Sequence, residues 1–245
     1  ESKNIKQAVE TTVADEFACP ITNELPLDPV FAEDGRTYER SAIEEYFGRA
    51  NGENCRSPVT NKIIGTKLIP NLQVRNMLEN FVRDGVIDGE KAAPWKQRIE
   101  DEKFVAEIRS EAENGHAGAM DALGLFYEEG QHGIRKNIFT AFEWYEKAAE
   151  SGHFSAMASL ARMHIDGKGT EKNVPEGMML LGRAAQGGSS YAAYLLGQCY
   201  AQGQNSIVKN AKRARCWLEK VKVDGEDVSI AVWNDTKELL AGLDS

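Results

Sequence analysis

Ligands for metal are scarce in this chain. It holds four histidines and four cysteines, the first histidine is His116, and Cys19, Cys55, Cys199 and Cys216 form no C-x-x-C pair. A structural zinc site takes four nitrogen or sulfur ligands. The amino-terminal part, with Cys19 and Cys55 alone, cannot fill one, so no metal and no cofactor is expected. A reactive thiol needs a neighbour that lowers its pKa. Cys19 and Cys55 lack a nearby histidine and read as buried and inert. Positive charge is also short, with 29 Lys and Arg against 38 Asp and Glu and a net charge of -9. Phosphate neutralisation needs a basic face, so nucleic acid is not an expected partner. The local cluster Lys209, Lys212, Arg213 and Arg215 reads as a solvated helix face. No apolar run approaches the ~20 residues of a membrane span. The stretch Glu1 to Glu10 lacks the apolar centre of a signal peptide. With thiols that read as free, the expectation is an intracellular protein, cytoplasmic or nuclear.

Proline is limited to seven residues, and Pro20, Pro26, Pro29, Pro58 and Pro70 all precede residue 71. Beyond residue 90 or so, alanine, glycine and helical periodicity take over. The stretch GVIDGEKAAP, Gly85 to Pro94, reads as a linker. The expected organisation is an extension over 1–14, a first domain over 15–84, a linker over 85–94 and a helical array over 95–245.

The array is repetitive. Trp144, Leu180 and Trp217 share one slot, at steps of 36 and 37 residues. Gly115, Gly152, Gly188 and Gly225 share another, as do Gly124, Ala161 and Gly197, then Tyr127, His164 and Tyr200, then Gly130, Gly167 and Gly203. Each unit reads as helix, glycine-containing loop, helix, glycine-containing turn. Small residues at fixed slots let helices approach closely. One hairpin cannot bury its apolar face alone, so units stack into a solenoid. The third unit departs, with Val221 and Lys222 in place of an alanine pair, as terminal repeats do. Flanking helices of about 95–114 and 228–243 read as caps. His164, in a slot otherwise held by tyrosine, reads as a packing variant.

The region from Asp15 to Asp84 reads as loop, hairpin, helix, loop, helix. Glu33-Asp34-Gly35 marks the hairpin turn. Arg40 to Ala50 is a helix with Ile43 and Phe47 on one face, and Asn71 caps a second helix whose apolar face is Val74, Met77, Leu78 and Phe81. Two long loops around a central helix form the RING layout, in which zinc normally pins each loop. Without ligands for zinc, hydrogen bonds and ion pairs must do so, and Thr22, Glu24, Asp28, Arg36 and Lys67 are the candidates.

Six motifs stand in order here: CPIT (Cys19 to Thr22), DPV (Asp28 to Val30), G-x-TYER (Gly35 to Arg40), AIEEY (Ala42 to Tyr46), RSPVT (Arg56 to Thr60) and LIPN (Leu68 to Asn71). The region resembles the U-box, the zinc-free relative of RING domains. The array carries A-x-x-x-L-G-x-x-Y-x-x-G at Ala119, Leu123, Gly124, Tyr127 and Gly130, and W-Y-x-K-A-A from Trp144 to Ala149. It resembles Sel-1-like repeats, relatives of the tetratricopeptide repeat. The expected fold is mainly α, a small α+β U-box joined to an α-solenoid.

The resemblance implies a ubiquitin-protein ligase that works without a covalent ubiquitin intermediate. A U-box binds a conjugating enzyme carrying ubiquitin as a thioester and holds that ubiquitin for attack by a substrate lysine, which is catalysis by orientation. Matched position by position, Ile21, Asn23, Tyr46 and Pro58 are implied to bind the conjugating enzyme. Inward packing of Ile21 and Tyr46 is the alternative. Arg56 matches the cation that bridges ubiquitin and its carrier, with a loop ion pair to Glu53 as the plainer alternative. Two positions depart: Asn23 stands where several relatives have a larger apolar residue, and Tyr46 where many have Trp or His. The implied partners are a conjugating enzyme, ubiquitin, and a protein substrate or a chaperone or adaptor held by the repeats. The rival reading is a non-catalytic scaffold.

Overall fold

A computed structural model describes residues 12–49, 55–205, 207–222 and 229–243. The expected extension over 1–14 therefore lies almost entirely outside the described residues, as does Gly225. The chain divides into two compact units, Glu1–Glu102 and Lys103–Ser245. It is mostly helical, with a small sheet in the first unit. Among the described residues no helix is long and apolar enough to cross a membrane.

In the first unit, residues 12–17 are helical (α1). Strand β1 (Pro29–Phe31) pairs antiparallel with β2 (Thr37–Glu39), with Val30 opposite Tyr38. The expected turn joins them, with Gly35 at φ 75°, a backbone conformation that glycine adopts at little cost. Strand β3 (Ile69–Pro70) pairs with the other edge of β1, so the order is β2-β1-β3. Helix α2 (Arg40–Arg49) follows β2 directly and buries Ile43 and Phe47. With Cys19, Val30, Ala32, Tyr38 and Cys55 they make one core cluster, so both cysteines are buried free thiols.

Helix α3 (Leu72–Arg83) starts at Asn71, whose side chain accepts from the Val74 N–H at 3.1 Å. Its buried residues are Leu78 and Val82, while Met77 is 42% exposed. The buried stripe is thus turned towards Val82, away from the expected Met77, because residues 86–95 cover that flank. Leu78 and Val82 pack with Ile87, Ala92 and Trp95.

Residues 85–94 are therefore not the open linker their glycines and proline suggested. Gly85, at φ 67°, closes α3: its N–H reaches Val82 O, and Val86 N–H reaches Phe81 O at 2.8 Å. That is a Schellman stop. Helix α4 then runs from Gly89 to Glu113, earlier than the expected start near residue 95. Pro94 sits in its second turn, where a single N–H bond, to Glu90, is forgone. Full burial of Ile87, Ala92 and Trp95 offsets that loss.

The second unit stacks helical hairpins: α5 (Ala117–Glu129) with α6 (Ile138–Glu150), α7 (Phe154–Asp166) with α8 (Val174–Gln186), and α9 (Ser190–Gln202) with α10 (Ala211–Leu218), followed by α11 (Ile230–Gly242). Gly130, Gly167 and Gly203 end the first helix of each pair in the left-handed conformation, at φ 76°, 71° and 72°. Asn137, Asn173 and Asn210 cap the second helices through their side chains. This asparagine repeat is as regular as the glycines, and it fixes each loop's exit. His164 meets the Phe142 ring edge-on at 5.3 Å, a packing arrangement.

The small-residue slot has a steric cause. A Cβ on Gly124 would lie 2.6 Å from the Tyr145 ring, and one on Gly197 would lie 2.5 Å from Leu218. Both of these side chains, Tyr145 and Leu218, are buried. Gly124→Ala should therefore destabilise the protein by about 1–3 kcal/mol despite its gain in helix propensity. A urea titration checks this, and a stabilised variant would refute the close-approach account.

Candidate functional site

The first loop of the amino-terminal unit is closed on itself. Cys19 N–H donates to Glu24 O and Asn23 N–H to Cys19 O, both at 2.8 Å. Asn23 takes a left-handed φ of 58°, a conformation asparagine tolerates better than most residues. Further along, the Glu39 carboxylate accepts from Leu27 N–H at 2.7 Å and Asp28 N–H at 3.0 Å. Arg40 Nε donates to Asp28 Oδ2 at 2.7 Å. Neighbouring residues at the end of β2 thus hold the loop's return, one by its carboxylate and the other by its guanidinium.

The second loop hangs on a buried hydroxyl. Ser57 is 2% exposed. Its Oγ donates to Asp34 Oδ2 at 2.5 Å and accepts from Val59 N–H at 3.1 Å and Thr60 N–H at 2.9 Å. Tyr38 Oη donates to the same Asp34 oxygen at 2.7 Å, and Arg36 N–H donates to Oδ1 at 3.0 Å. Burial alone would raise the Asp34 pKa. The hydrogen bonds from Ser57, Tyr38 and Arg36, with the Arg36 charge, outweigh it and hold the carboxyl below its usual range. Glu33 accepts from Gly65 N–H at 2.7 Å at the far end of the loop.

Of the five polar residues expected to hold the loops, Asp28 does so through Arg40. Among the described residues Thr22 accepts only from the nearby Glu24 N–H, at 3.3 Å. Glu24 contributes its carbonyl and Arg36 its N–H. Lys67 makes no side-chain hydrogen bond or ion pair among the described residues. Of the main fasteners, Glu39 and Ser57 lie inside the quoted motifs and Asp34 in the hairpin turn beside them, but none carries a one-dimensional mark of its role. Among the described residues, no group of three or more His, Cys, Asp or Glu is arranged to hold a metal.

The residues matched to enzyme docking fall as follows. Ile21, at the tip of the first loop, is 36% exposed. Asn23 is exposed beside it in the chain. Tyr46 is half-buried on α2, packed against the core cluster, with its ring 6.2 Å from that of Phe47. Pro58 is half-buried, next to the anchored Ser57. Arg56 is exposed, and its Nη1 donates to Asn61 O at 2.8 Å while its backbone bridges to Ile63. Glu53, the alternative partner for Arg56, lies outside the described residues.

Residues 13–86 match the family described as U-box domain, and residues 117–153, 154–189 and 190–220 each match Sel1 repeat. The chain carries a U-box followed by three Sel1 repeats. Over 91 residues it is 38% identical to "U-box domain-containing protein 21" of Arabidopsis thaliana, spanning 37% of this chain and 19% of that protein. Over 70 residues it is 37% identical to "E3 ubiquitin-protein ligase SPL11" of Oryza sativa subsp. japonica, spanning 29% of this chain and 10% of that protein. The matches span only a small part of these curated relatives, from 8% to 20% of the first ones' length. Among solved structures, the chain is similar to a Sel1 repeat protein from Oxalobacter formigenes, with a TM-score of 0.44, 28% identity, and 56% of this chain and 98% of that chain covered. The polar clasp holds both loops of the U-box by hydrogen bonds and an ion pair.

Proposed function

We propose that this protein is a ubiquitin-protein ligase in which the U-box recruits a ubiquitin-charged conjugating enzyme and the Sel1 repeats hold a substrate or adaptor. The observation that carries the reading is the U-box with both loops fastened and Ile21 and Arg56 at its surface. Ile21 offers an apolar contact from a closed loop, where little chain entropy remains to be lost on docking. Tyr46 and Pro58 extend that contact from α2 and the second loop, and Asn23 adds a polar one. Among the described residues Arg56 has one donor tied to the Asn61 carbonyl, which orients the planar fork, and its other donors suit an outside acceptor. Bridging ubiquitin to its carrier restricts a mobile thioester, so the gain appears in the transfer rate. Buried free thiols at Cys19 and Cys55 suit the intracellular location we assign to it.

The test is autoubiquitination of the full chain with a panel of conjugating enzymes. Wild type is expected to form conjugates. Arg56→Ala is expected to bind the enzyme as wild type does and to transfer about 10- to 100-fold more slowly, the cost of losing a charge-assisted hydrogen bond in the activated complex. A wild-type chain inactive with every enzyme moves the scaffold reading to the front.

A further inference from the structure

The second loop of the U-box carries a buried anchor and an exposed cation, and a short turn joins them. Ser57 is pinned to Asp34 through its hydroxyl. Asn61 N–H donates to Ser57 O at 3.0 Å, and Ser57 N–H donates to Lys62 O at 2.8 Å. Between those two bonds the chain reverses at Asn61, which takes a left-handed φ of 56°. Glycine and asparagine adopt that conformation more readily than other residues, and a β-branched residue resists it. Asn61 is exposed, and among the described residues its side chain makes no hydrogen bond. What the position supplies is therefore its backbone.

That reversal aims the Asn61 carbonyl at Arg56. Arg56 Nη1 donates to Asn61 O at 2.8 Å, and the Arg56 backbone bridges to Ile63 across the same turn. An exposed guanidinium is thus tied, through a hydrogen-bonded turn, to a serine that is 2% exposed. The chemistry of the acceptor matters. A neutral carbonyl fixes the planar fork and leaves the positive charge whole, whereas a carboxylate would cancel that charge and compete with an outside acceptor. Ordering an arginine side chain also costs rotamer entropy. Here the fold meets part of that cost before any partner arrives.

We propose that Asn61 is a positioning residue for ubiquitin transfer, whose left-handed backbone holds the Arg56 guanidinium in the pose that bridges ubiquitin to its carrier. This rests on the reading of Arg56 as the bridging cation and adds the residue that orients it. The effect of Asn61 runs through Arg56 and belongs to the transfer step. Docking of the conjugating enzyme, assigned to Ile21, Asn23, Tyr46 and Pro58, does not depend on it.

The test is discharge of ubiquitin from a charged conjugating enzyme to free lysine, promoted by the full chain. In that reaction the lysine amine takes the acyl group and the carrier thiol leaves. Asn61→Val is expected to lower the maximal rate about tenfold and to leave the half-saturating concentration of charged enzyme within about twofold. Asn61→Gly keeps the turn and the carbonyl and is expected to restore the rate. Without Arg56, in an Arg56→Ala background, Asn61→Val should change the rate by less than about twofold, since nothing is left to position. Asn61→Ala, milder at positive φ, carries the same comparison if the valine variant melts early. A second readout needs no activity: the NMR order parameter of the Arg56 Nε–H should fall in Asn61→Val and recover in Asn61→Gly. Wild-type transfer by Asn61→Val, a loss undiminished without Arg56, or a rise in half-saturation in place of the fall in rate would each overturn the proposal. Asn61→Gly as slow as Asn61→Val would overturn it too, by assigning the role to the amide side chain. A wild-type chain that discharges no enzyme overturns the ligase reading, and with it the transfer role, even where Asn61 still orders Arg56. An active wild type whose Arg56 is equally ordered in Asn61→Val overturns the positioning role alone.

Discussion

Ile21→Asp should abolish conjugate formation, by about thirtyfold or more, while leaving the thermal transition nearly unchanged. The two halves of that expectation have separate causes. Ile21 sits at a loop tip whose closure uses backbone atoms of Cys19, Asn23 and Glu24. Its side chain is not among the buried core residues of the unit. Substitution at such a site costs the fold about 0.5 kcal/mol or less. At a docking surface the same change removes an apolar anchor and places a carboxylate where water must leave, at about 2 kcal/mol or more. Conjugation rate, enzyme binding and melting temperature measured together separate these effects. Wild-type conjugation by Ile21→Asp would remove the first loop from the docking surface. A lowered melting temperature would instead assign Ile21 to the core.

Asp34→Ala should have the largest effect on stability within the U-box, about 2–4 kcal/mol. Asp34 accepts from Ser57, Tyr38 and the Arg36 N–H. Truncation strands the hydroxyls of Ser57 and Tyr38, both almost wholly buried, and a stranded buried donor costs more than the lost bond is worth. Ser57 also caps Val59 and Thr60, so the second loop, with Arg56 and Pro58 beside the clasp, should loosen at the same time. Hydrogen exchange should rise first in residues 57–64, and transfer should fall even where the fold survives.

The depressed pKa of Asp34 adds a pH signature. Its folded form holds the proton less tightly than the unfolded chain does. Its contribution is therefore complete above the ordinary carboxylate pKa of about 3.9 and is lost as pH falls through the lower folded value. Asp34→Asn keeps an acceptor but cannot titrate. Its denaturant midpoint should lie below that of wild type at neutral pH, and the gap should shrink in acid. A gap that stays constant from neutral pH to about pH 2.5 would assign the acid sensitivity to other carboxylates.

Much of this architecture can be read from one dimension, because periodic features repeat at chain level whatever they touch. The glycine slots at 130, 167 and 203 and the hairpin turn at Gly35 need a backbone conformation that few other residues allow, so their spacing declared the loops. Asn71 announced its helix because a cap acts on the next few residues. The U-box motifs and the shortage of metal ligands likewise pointed to loops held by hydrogen bonds and ion pairs. Partners distant in sequence were another matter. Ser57 and Asp34 stand 23 residues apart and Glu39 and Leu27 twelve apart, and a carboxylate on a turn looks the same whether it meets solvent or a buried hydroxyl. Residues 85–94 looked like a linker because local propensity penalises Gly and Pro. Burial of Ile87, Ala92 and Trp95 against Leu78 and Val82 outweighs that penalty, and packing of this kind is settled only when the chain has folded. The tie between α5, α6 and α7 is of the same sort: Glu128 accepts from Tyr145 Oη and pairs with Arg162 because successive hairpins stack, and only that stacking brings three scattered polar residues together.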